Sequence, residues 1–242
     1  MAEDCQGLTV QAVRFVHGGG PVFYASWPSG PGAPETLKGC GTTGAGDKHR
    51  LVSTLWDHLV AMKSPLGKGC LSSNPIFRGP LGRPHLLLGE YRGPAISFSE
   101  GGGKVWAALC ENDTPIGIDV AGSDEFQRGY PFHRVFQSQE LQQALRLAGG
   151  DLEKASALLW SIKEAVVKAL GCAFHLVDPR QITVYPSAGG EIGGDDGYTF
   201  PVGLSGKALA RFPLTAGRSL WVRSLPQVKM WLSIALLLRR PR

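Results

Sequence analysis

The fold is decided by the stretch Leu158-Leu159-Trp160-Ser161-Ile162-Lys163-Glu164-Ala165-Val166-Val167-Lys168-Ala169-Leu170, which is followed by Gly171. Its apolar residues recur every three or four positions, a spacing that predicts an amphipathic helix. Asp151 is a candidate N-cap, and a glycine suits the position just after a helix. We therefore expect one long helix over residues 152–170.

Three side chains recur at four-residue steps along this helix: Trp160, Glu164 and Lys168. Residues four apart lie on one helix face, so a carboxylate and an ammonium group are presented together beside an aromatic ring. The simplest interpretation is an exposed Glu/Lys pair that stabilises the helix by about 0.3 kcal/mol. The alternative is a catalytic or binding site, and a second motif upstream favours it.

The second motif is Pro115-Ile116-Gly117-Ile118-Asp119-Val120, a candidate buried strand that carries a carboxylate near its end. Gly-Ile-Asp followed by Trp-Ser-x-Lys-Glu-x-x-x-Lys resembles the paired signature of the Sfp-type 4′-phosphopantetheinyl transferases in sequence, order and separation. The resemblance implies an α+β fold built as a pseudo-dimer of two similar halves. Each half is expected to be an antiparallel-rich sheet packed by helices, with the cofactor cleft between the halves.

The resemblance also implies a reaction: the phosphopantetheine arm of coenzyme A moves to a serine of an acyl or peptidyl carrier protein, and adenosine 3′,5′-bisphosphate leaves. It implies Asp119 and Glu164 as Mg²⁺ ligands, and hard carboxylate oxygens suit that ion. Glu164 and Lys168 are the expected catalytic residues, as base and as cation on the pyrophosphate, and Asp119 and Lys168 also contact the cofactor. Lys163 is a weaker candidate, expected to face solvent or the carrier, and Trp160 is expected to pack in the core.

Basic residues upstream are the candidates for binding coenzyme A. Apolar spacing predicts a helix over residues 47–62, with Asp47 as N-cap and a basic first turn, and a helix N-terminus favours phosphate. A solvated basic turn remains the alternative. The segment resembles the part of the family that holds the nucleotide end of coenzyme A, and Arg50 is the residue carried over. Arg83, in a Gly-Arg-Pro turn, and Arg78 are expected to reach phosphates as well.

Two positions depart from the family pattern. In the predicted hairpin over residues 95–110, Ser97 is expected to contact the cofactor, but the next residue, a histidine in the family, is Phe98. Losing such a charged contact costs about 1.5–3 kcal/mol unless a nearby arginine or lysine replaces it. Phe98 is expected instead to stack on or pack against the cofactor, and simple hydrophobic packing is the alternative. The third metal ligand of many members, two residues after the aspartate, is here Ala121.

The chain divides into two predicted halves, residues 1–113 for the nucleotide end of coenzyme A and residues 114–242 for the metal site and catalytic helix. A further helix is expected over residues 132–147. Strands are expected beyond Gly171, ending with an apolar run over residues 229–238. A chain that contains both halves is expected to work as a monomer.

The amino-acid composition and net charge limit the kinds of partner that the chain is expected to bind. The chain has 242 residues, 43% of them apolar, and a net charge of +5, so it has a core and favours an anionic partner such as a phosphorylated cofactor or an acidic protein. We find no basic stripe typical of nucleic-acid binding and no stretch long enough to span a membrane. Five scattered cysteines indicate reduced thiols and a cytoplasmic protein.

The sequence also allows other functional interpretations. Gly39-Cys40-Gly41-Thr42-Thr43-Gly44 matches a dinucleotide-binding motif, but neither a strand before it nor a helix inside it is expected, so a loop is favoured. Phe98 and Ala121 also fit a catalytically silent relative that binds coenzyme A or a carrier protein. An interaction-only protein leaves the carboxylates and lysine of the two motifs unexplained.

Overall fold

A computed structural model of the chain shows two antiparallel sheets that pack face to face, each covered on its outer side by a helix. This confirms the predicted mixed α+β fold with antiparallel sheets packed by helices. The structure describes residues 8–15, 18–29, 44–62, 69–79, 82–110, 114–126, 130–187, 197–215 and 217–239. Most of the glycine-rich match at residues 39–44 lies outside these ranges.

The first sheet has the order β1-β2-β6-β5-β4-β3. Its strands are β1 (Gln11–Val13), β2 (Val22–Pro28), β3 (Leu71–Arg78), β4 (Pro84–Leu88), β5 (Tyr91–Gly101) and β6 (Lys104–Cys110). Helix α1 (Gly44–Ala61) covers its outer face with Leu51, Leu55 and Leu59, all fully buried. Burying each leucine contributes about 2 kcal/mol, so these three side chains fix α1 to the sheet.

The second sheet has the order β7-β11-β10-β9-β8. Its strands are β7 (Ile116–Gly122), β8 (Ile182–Val184), β9 (Tyr198–Leu204), β10 (Arg218–Gln227) and β11 (Met230–Arg239). The helix predicted over residues 152–170 is confirmed as α4 (Leu152–Leu170), which covers the outer face of this sheet. Shorter helices are α2 (Phe132–Val135), α3 (Ser138–Leu147) and α5 (Gly206–Arg211).

Strand alternation divides the side chains of the second sheet between two cores. Ile116, Ile118 and Val120 of β7 point towards the first sheet and meet residues such as Tyr24 and Trp106. The residues between them, Gly117 and Asp119, point the other way, towards α4. The hydrophobic pattern of β7 therefore decides that its carboxylate meets the helix.

Two helix boundaries differ from the sequence prediction. Helix α1 begins at Gly44, so Asp47 is not its N-cap but a buried residue of the first turn, and the basic residues 48–50 follow it. The helix predicted over residues 132–147 is two helices, α2 and α3. The break is stabilised because the Glu140 side chain accepts a hydrogen bond from the backbone N–H of Gln137 at 2.8 Å, which starts α3 afresh.

Strands β3, β4 and the start of β5 lie in a segment of the chain that contains several proline and glycine residues. Pro84 is the first residue of β4, a position at which the missing N–H is tolerated. Within the described ranges no helix combines the length and apolarity that crossing a bilayer requires.

Strand β7 approaches α4 so closely that only glycine fits at position 117. A Cβ atom there would overlap the carbonyl oxygen of Ala165 and crowd the backbone N of Ala169 at 2.6 Å. Backbone atoms of a packed helix cannot move aside, so we expect Gly117→Ala to lower the free energy of unfolding by about 3 kcal/mol. Urea unfolding measures the loss.

Gly79→Ala is the matched control, because a Cβ there meets its nearest neighbour, the Arg83 carbonyl oxygen, at an ordinary 3.7 Å. We expect it to change the unfolding free energy by less than about 0.5 kcal/mol. Equal losses in the two variants would contradict the close contact between β7 and α4.

Candidate active site

Asp119 is the buried end of the site. It is 6% exposed, and its Oδ1 accepts hydrogen bonds from Lys168 Nζ at 2.7 Å and from Ser99 Oγ at 2.9 Å. Burial raises the pKa of Asp119, and the neighbouring ammonium of Lys168 opposes that rise. Because both hydrogen bonds use Oδ1, the second oxygen is the one suited to face a cation.

Helix α4 carries the other two groups of the site. Its first turn is capped by the Asp151 carboxylate, which accepts from the Lys154 N–H at 3.0 Å, and its end is closed by Gly171 in the left-handed conformation. Lys168, in the last turn, donates to the Ile118 carbonyl oxygen at 3.1 Å as well as to Asp119. These bonds fasten the end of α4 to the middle of β7.

Glu164 lies one turn before Lys168 on the same face and beside Asp119. Burial raises its pKa to about 7, the negative charge of Asp119 adds to the rise, and Lys168 opposes it. No described residue donates a hydrogen bond to its side chain. Glu164 is thus a partly buried carboxyl group that gains or loses its proton near neutral pH, as a catalytic base requires.

Asp119 and Glu164 supply some, but not all, of the ligands that a magnesium ion needs. The described residues contain no group of three or more His, Cys, Asp or Glu side chains that could hold a metal. Magnesium commonly uses one or two carboxylates and takes its other ligands from water and phosphate oxygens, so Asp119 and Glu164 are sufficient in kind. Ala121 lies in the core against α4 and brings no further oxygen.

A cavity of about 210 Å³ lies beside this site, and Lys168 of α4 and Ser97 of β5 both line it. Of the residues predicted to bind the cofactor, five line it: Arg78, Arg83, Ser97, Phe98 and Lys168. Its wall is formed by residues from both segments of the chain that the sequence analysis predicted as halves.

Ser97 and Ser99 join the two halves at this wall. Ser97 Oγ accepts a hydrogen bond from the Ile118 N–H at 3.0 Å, and Ser99 Oγ accepts one from the Val120 N–H at 3.2 Å. These hydroxyl groups occupy the outer edge of β7, whose other edge pairs with β11. Ser97 consequently has a structural bond in addition to its place in the cavity wall.

Arg50 is not among the residues that line this cavity. Its guanidinium lies over the Trp27 ring, 5.2 Å from the ring centroid. Its role in holding the nucleotide end of coenzyme A stays a prediction.

Lys48, from the same basic segment, does line the cavity, and sequence reasoning did not select it. Its Nζ is 2.8 Å from Glu100 Oε1, an ion pair that lowers the pKa of Glu100, and 6.0 Å from the centroid of the Phe98 ring. The only signal in the sequence was its position in the basic turn, which it shares with His49 and Arg50. Cys172 is a second lining residue that the sequence analysis did not select.

Lys163 was expected to face solvent, and that prediction is wrong. Its side chain is fully buried, and its ammonium donates to the carbonyl oxygens of Val135 at 3.1 Å and Pro179 at 2.8 Å and to Glu140 Oε1 at 2.5 Å. Burial is the largest influence on the pKa of Lys163 and lowers it, while Glu140 acts in the opposite direction. The reason is a carboxylate 23 residues upstream that the fold brings beneath α4.

Trp160 packs as predicted, against the core on the α4 side of the second sheet. Its ring contacts Phe174 at a centroid distance of 4.9 Å and Phe126 at 6.3 Å. The ring supports the helix one turn before Glu164.

Comparisons with known proteins give a match to the segment that contains β7 and α4. Residues 115–201 match a sequence model of the 4′-phosphopantetheinyl transferase superfamily, and this segment contains Asp119, Glu164 and Lys168. Comparison with curated protein sequences gave no match.

Two similar solved structures come from Chronobacterium ammoniagenes. One, described as apo-ACPS, is 20% identical with a TM-score of 0.42 and covers 53% of this chain and 98% of its own. The other, an ACPS–CoA complex, is 19% identical with a TM-score of 0.41 and covers 54% of this chain and 100% of its own. Both likenesses are too weak to carry a functional argument. The match over residues 115–201 supports the superfamily, and the Sfp-type subgroup stays a prediction.

Proposed function

We propose that this chain is a 4′-phosphopantetheinyl transferase of the Sfp type, which moves the phosphopantetheine arm of coenzyme A to a serine of an acyl or peptidyl carrier protein. The observation that carries the proposal is the convergence of Asp119, Glu164 and Lys168 beside a basic cavity. The superfamily match over residues 115–201 supports it, because all three residues lie in that segment. The net charge of +5 suits both an anionic cofactor and an acidic carrier.

The reaction forms a bond between the serine oxygen and the phosphorus that bears the pantetheine arm, and it breaks the bond from that phosphorus to the bridging oxygen. Adenosine 3′,5′-bisphosphate leaves with the bridging oxygen. Glu164 accepts the serine proton as general base, because its carboxylate lies one turn before Lys168 on the face of α4 that meets Asp119. Lys168 stabilises the negative charge that develops on the leaving phosphate.

Asp119 and Glu164 are the residues that would hold Mg²⁺ in this proposal. When bound, the ion supplies charge stabilisation for the pyrophosphate oxygens. Lys168 and Ser99 keep the Asp119 carboxylate in place through its Oδ1, so the position of that ligand does not depend on the ion. The divalent charge also relieves the repulsion between the two carboxylates.

The nucleotide end of coenzyme A is proposed to occupy the 210 Å³ cavity. Arg78 and Arg83 offer planar forks for phosphate oxygens, and Lys48 and Lys168 add point charges at its wall. Arg83 is held against the end of α4, where its Cδ lies 3.0 Å from the position of a Cβ on Gly171. The side chain of Arg83 therefore passes close to Gly171, where a larger residue would meet it.

Phe98 is the residue at which this cavity departs from the family pattern, and we expect Phe98→His to tighten coenzyme A binding. A protonated imidazole adds a charged donor, worth about 1.5 kcal/mol or roughly a tenfold change in Kd. The gain should be largest at pH 6 and smaller at pH 8, because an ordinary histidine loses its charge near pH 6.5. Isothermal titration calorimetry at both pH values measures it.

Phe98→Leu serves as the control, since it keeps an apolar side chain at the same place. If Phe98→His and Phe98→Leu bind coenzyme A equally at pH 6, the residue does not face the cofactor phosphates.

A second candidate function is a catalytically silent relative that binds coenzyme A or a carrier protein. The observations that favour it are Phe98 in the cavity wall and Ala121 in place of a carboxylate. The two candidates differ in turnover, not in cofactor binding.

The experiment that separates them is intact-mass analysis of several apo carrier proteins incubated with the protein, coenzyme A and Mg²⁺. We expect a phosphopantetheine mass gain on at least one carrier, which Asp119→Ala and Glu164→Ala abolish. Coenzyme A binding by calorimetry without any mass gain would favour the silent relative.

A further inference from the structure

Two arginines stand directly opposite each other where β10 begins and β11 ends. Arg218 pairs with Arg239 in the register of the two antiparallel strands. The Cβ atoms of such a pair lie about 4.5–5.5 Å apart, and like charges at this spacing destabilise a sheet. Neither arginine forms an ion pair with a carboxylate in the part of the chain that the structure describes.

Both arginines line a cavity of about 270 Å³. Thr114 and Pro115 form another part of its wall, and Gly19 closes a third side. Gly19 has a φ of +101°, and a Cβ there would lie 2.6 Å from the Leu238 side chain, so the backbone reaches this wall only as glycine. The cavity therefore combines two guanidinium groups and a hydroxyl group, and no described acidic residue lines it.

The cavity is separate from the candidate active site. Asp119 pairs with Ser233 in the register of β7 and β11, and Arg239 follows six residues later along β11. At the rise of an antiparallel strand, this separation is roughly 20 Å. The residues of the two cavity walls do not overlap.

We propose that Arg218 and Arg239 form a second oxyanion site that takes a phosphate group. Two guanidinium forks match the tetrahedral oxygens of a phosphate, and a dianion removes the repulsion between the two positive charges, which a monoanion does only in part. The group could be free inorganic phosphate or the terminal phosphate of an ester, and the chemistry of recognition is the same.

The test uses the full chain at constant ionic strength, with the arginine side-chain signals followed by NMR as inorganic phosphate or phenyl phosphate is added. We expect saturable shifts of the Arg218 and Arg239 signals, and binding at least about tenfold weaker after Arg218→Gln or Arg239→Gln. Arg146→Gln removes one exposed arginine elsewhere and should change nothing. Arg83→Gln removes phosphate binding at the other cavity, so the two sites can be separated.

Binding of either probe supports the site. Which probe binds shows whether the site takes a phosphate ester, free phosphate or both. Absence of shifts with both probes overturns the proposal. A thermal test gives an independent result: in phosphate-free buffer, Arg239→Gln should raise the Tm, because one of two repelling charges is gone. A lower Tm for Arg239→Gln would mean that the charge of Arg239 is already neutralised within the fold, and this result would also overturn the proposal.

These outcomes do not depend on the proposed transferase activity. Arg218→Gln and Arg239→Gln should leave phosphopantetheine transfer unchanged, since both residues lie far from Glu164. A failed transfer assay and a failed phosphate titration are thus separate results.

Discussion

Glu164→Gln should abolish phosphopantetheine transfer and, at the same time, stabilise the metal-free protein above neutral pH. The loss of a general base costs about 10²- to 10⁴-fold in rate, and the loss of a metal ligand adds to it. The gain in stability has the same origin as the activity, because the fold holds a carboxylate half-buried beside Asp119.

The direction of this stability change follows from the raised pKa of Glu164. Glu164 has a pKa of about 7 in the folded protein and an ordinary value near 4.3 when unfolded, so the folded state binds more protons between these values. Stability of the metal-free protein therefore falls as the pH rises through that window. Glutamine does not titrate, and the variant should lose this part of the pH dependence.

Thermal melts in a chelator at pH 5, 6, 7 and 8 measure the effect, and Mg²⁺ should raise the Tm of the wild type at pH 8 but not that of Glu164→Gln. Glu153→Gln, an exposed glutamate in the first turn of α4, is the matched control and should behave as the wild type. A variant less stable than the wild type at pH 8 would show that the Glu164 carboxylate is stabilised by the fold, contrary to the account.

Lys163→Ala should cause the largest loss of stability among the variants of α4. Removing the ammonium leaves the Glu140 carboxylate buried without its charged partner, which costs about 3–5 kcal/mol. It also leaves the carbonyl oxygens of Val135 and Pro179 without their donor. Urea unfolding at pH 7 measures the loss.

Two further variants make this test specific. In the double variant Lys163→Met with Glu140→Leu, no charge stays buried without its partner, so stability should be higher than in Lys163→Ala. It should stay below the wild type, because the backbone groups of Gln137, Val184, Val135 and Pro179 still lose their side-chain partners. Lys154→Ala breaks the exposed pair with Asp151, 3.4 Å long, and should cost less than about 0.5 kcal/mol. Equal losses in Lys163→Ala and Lys154→Ala would contradict a buried ion pair.

The sequence predicted the local elements that carry the candidate site. Helix α4 has an uninterrupted apolar spacing between an aspartate cap and a glycine stop, and both caps are present in the structure. The β5–β6 hairpin is likewise marked by its glycines, with Gly102 and Gly103 at positive φ in the turn. Such features depend on residues close together in the chain, which is why they could be predicted.

Contacts between distant segments could not be predicted in this way. Lysine is rarely buried, and nothing near Lys163 in the sequence indicates that Glu140 meets it. The position of Arg50 over Trp27 and of Lys48 in the cavity wall depends on how α1 lies on the first sheet. The start of α1 at Gly44 also runs against propensity, because two glycines in its first turn disfavour a helix that its buried leucines stabilise.

The most direct test of the account counts both products of one reaction. Apo carrier, coenzyme A, Mg²⁺ and the protein are incubated, and the carrier's mass gain and the released adenosine 3′,5′-bisphosphate are quantified in the same sample. The account predicts equal amounts of the two products with the wild type, and neither with Glu164→Gln nor with a carrier whose acceptor serine is alanine. Equal product yields from the wild type and Glu164→Gln would contradict it.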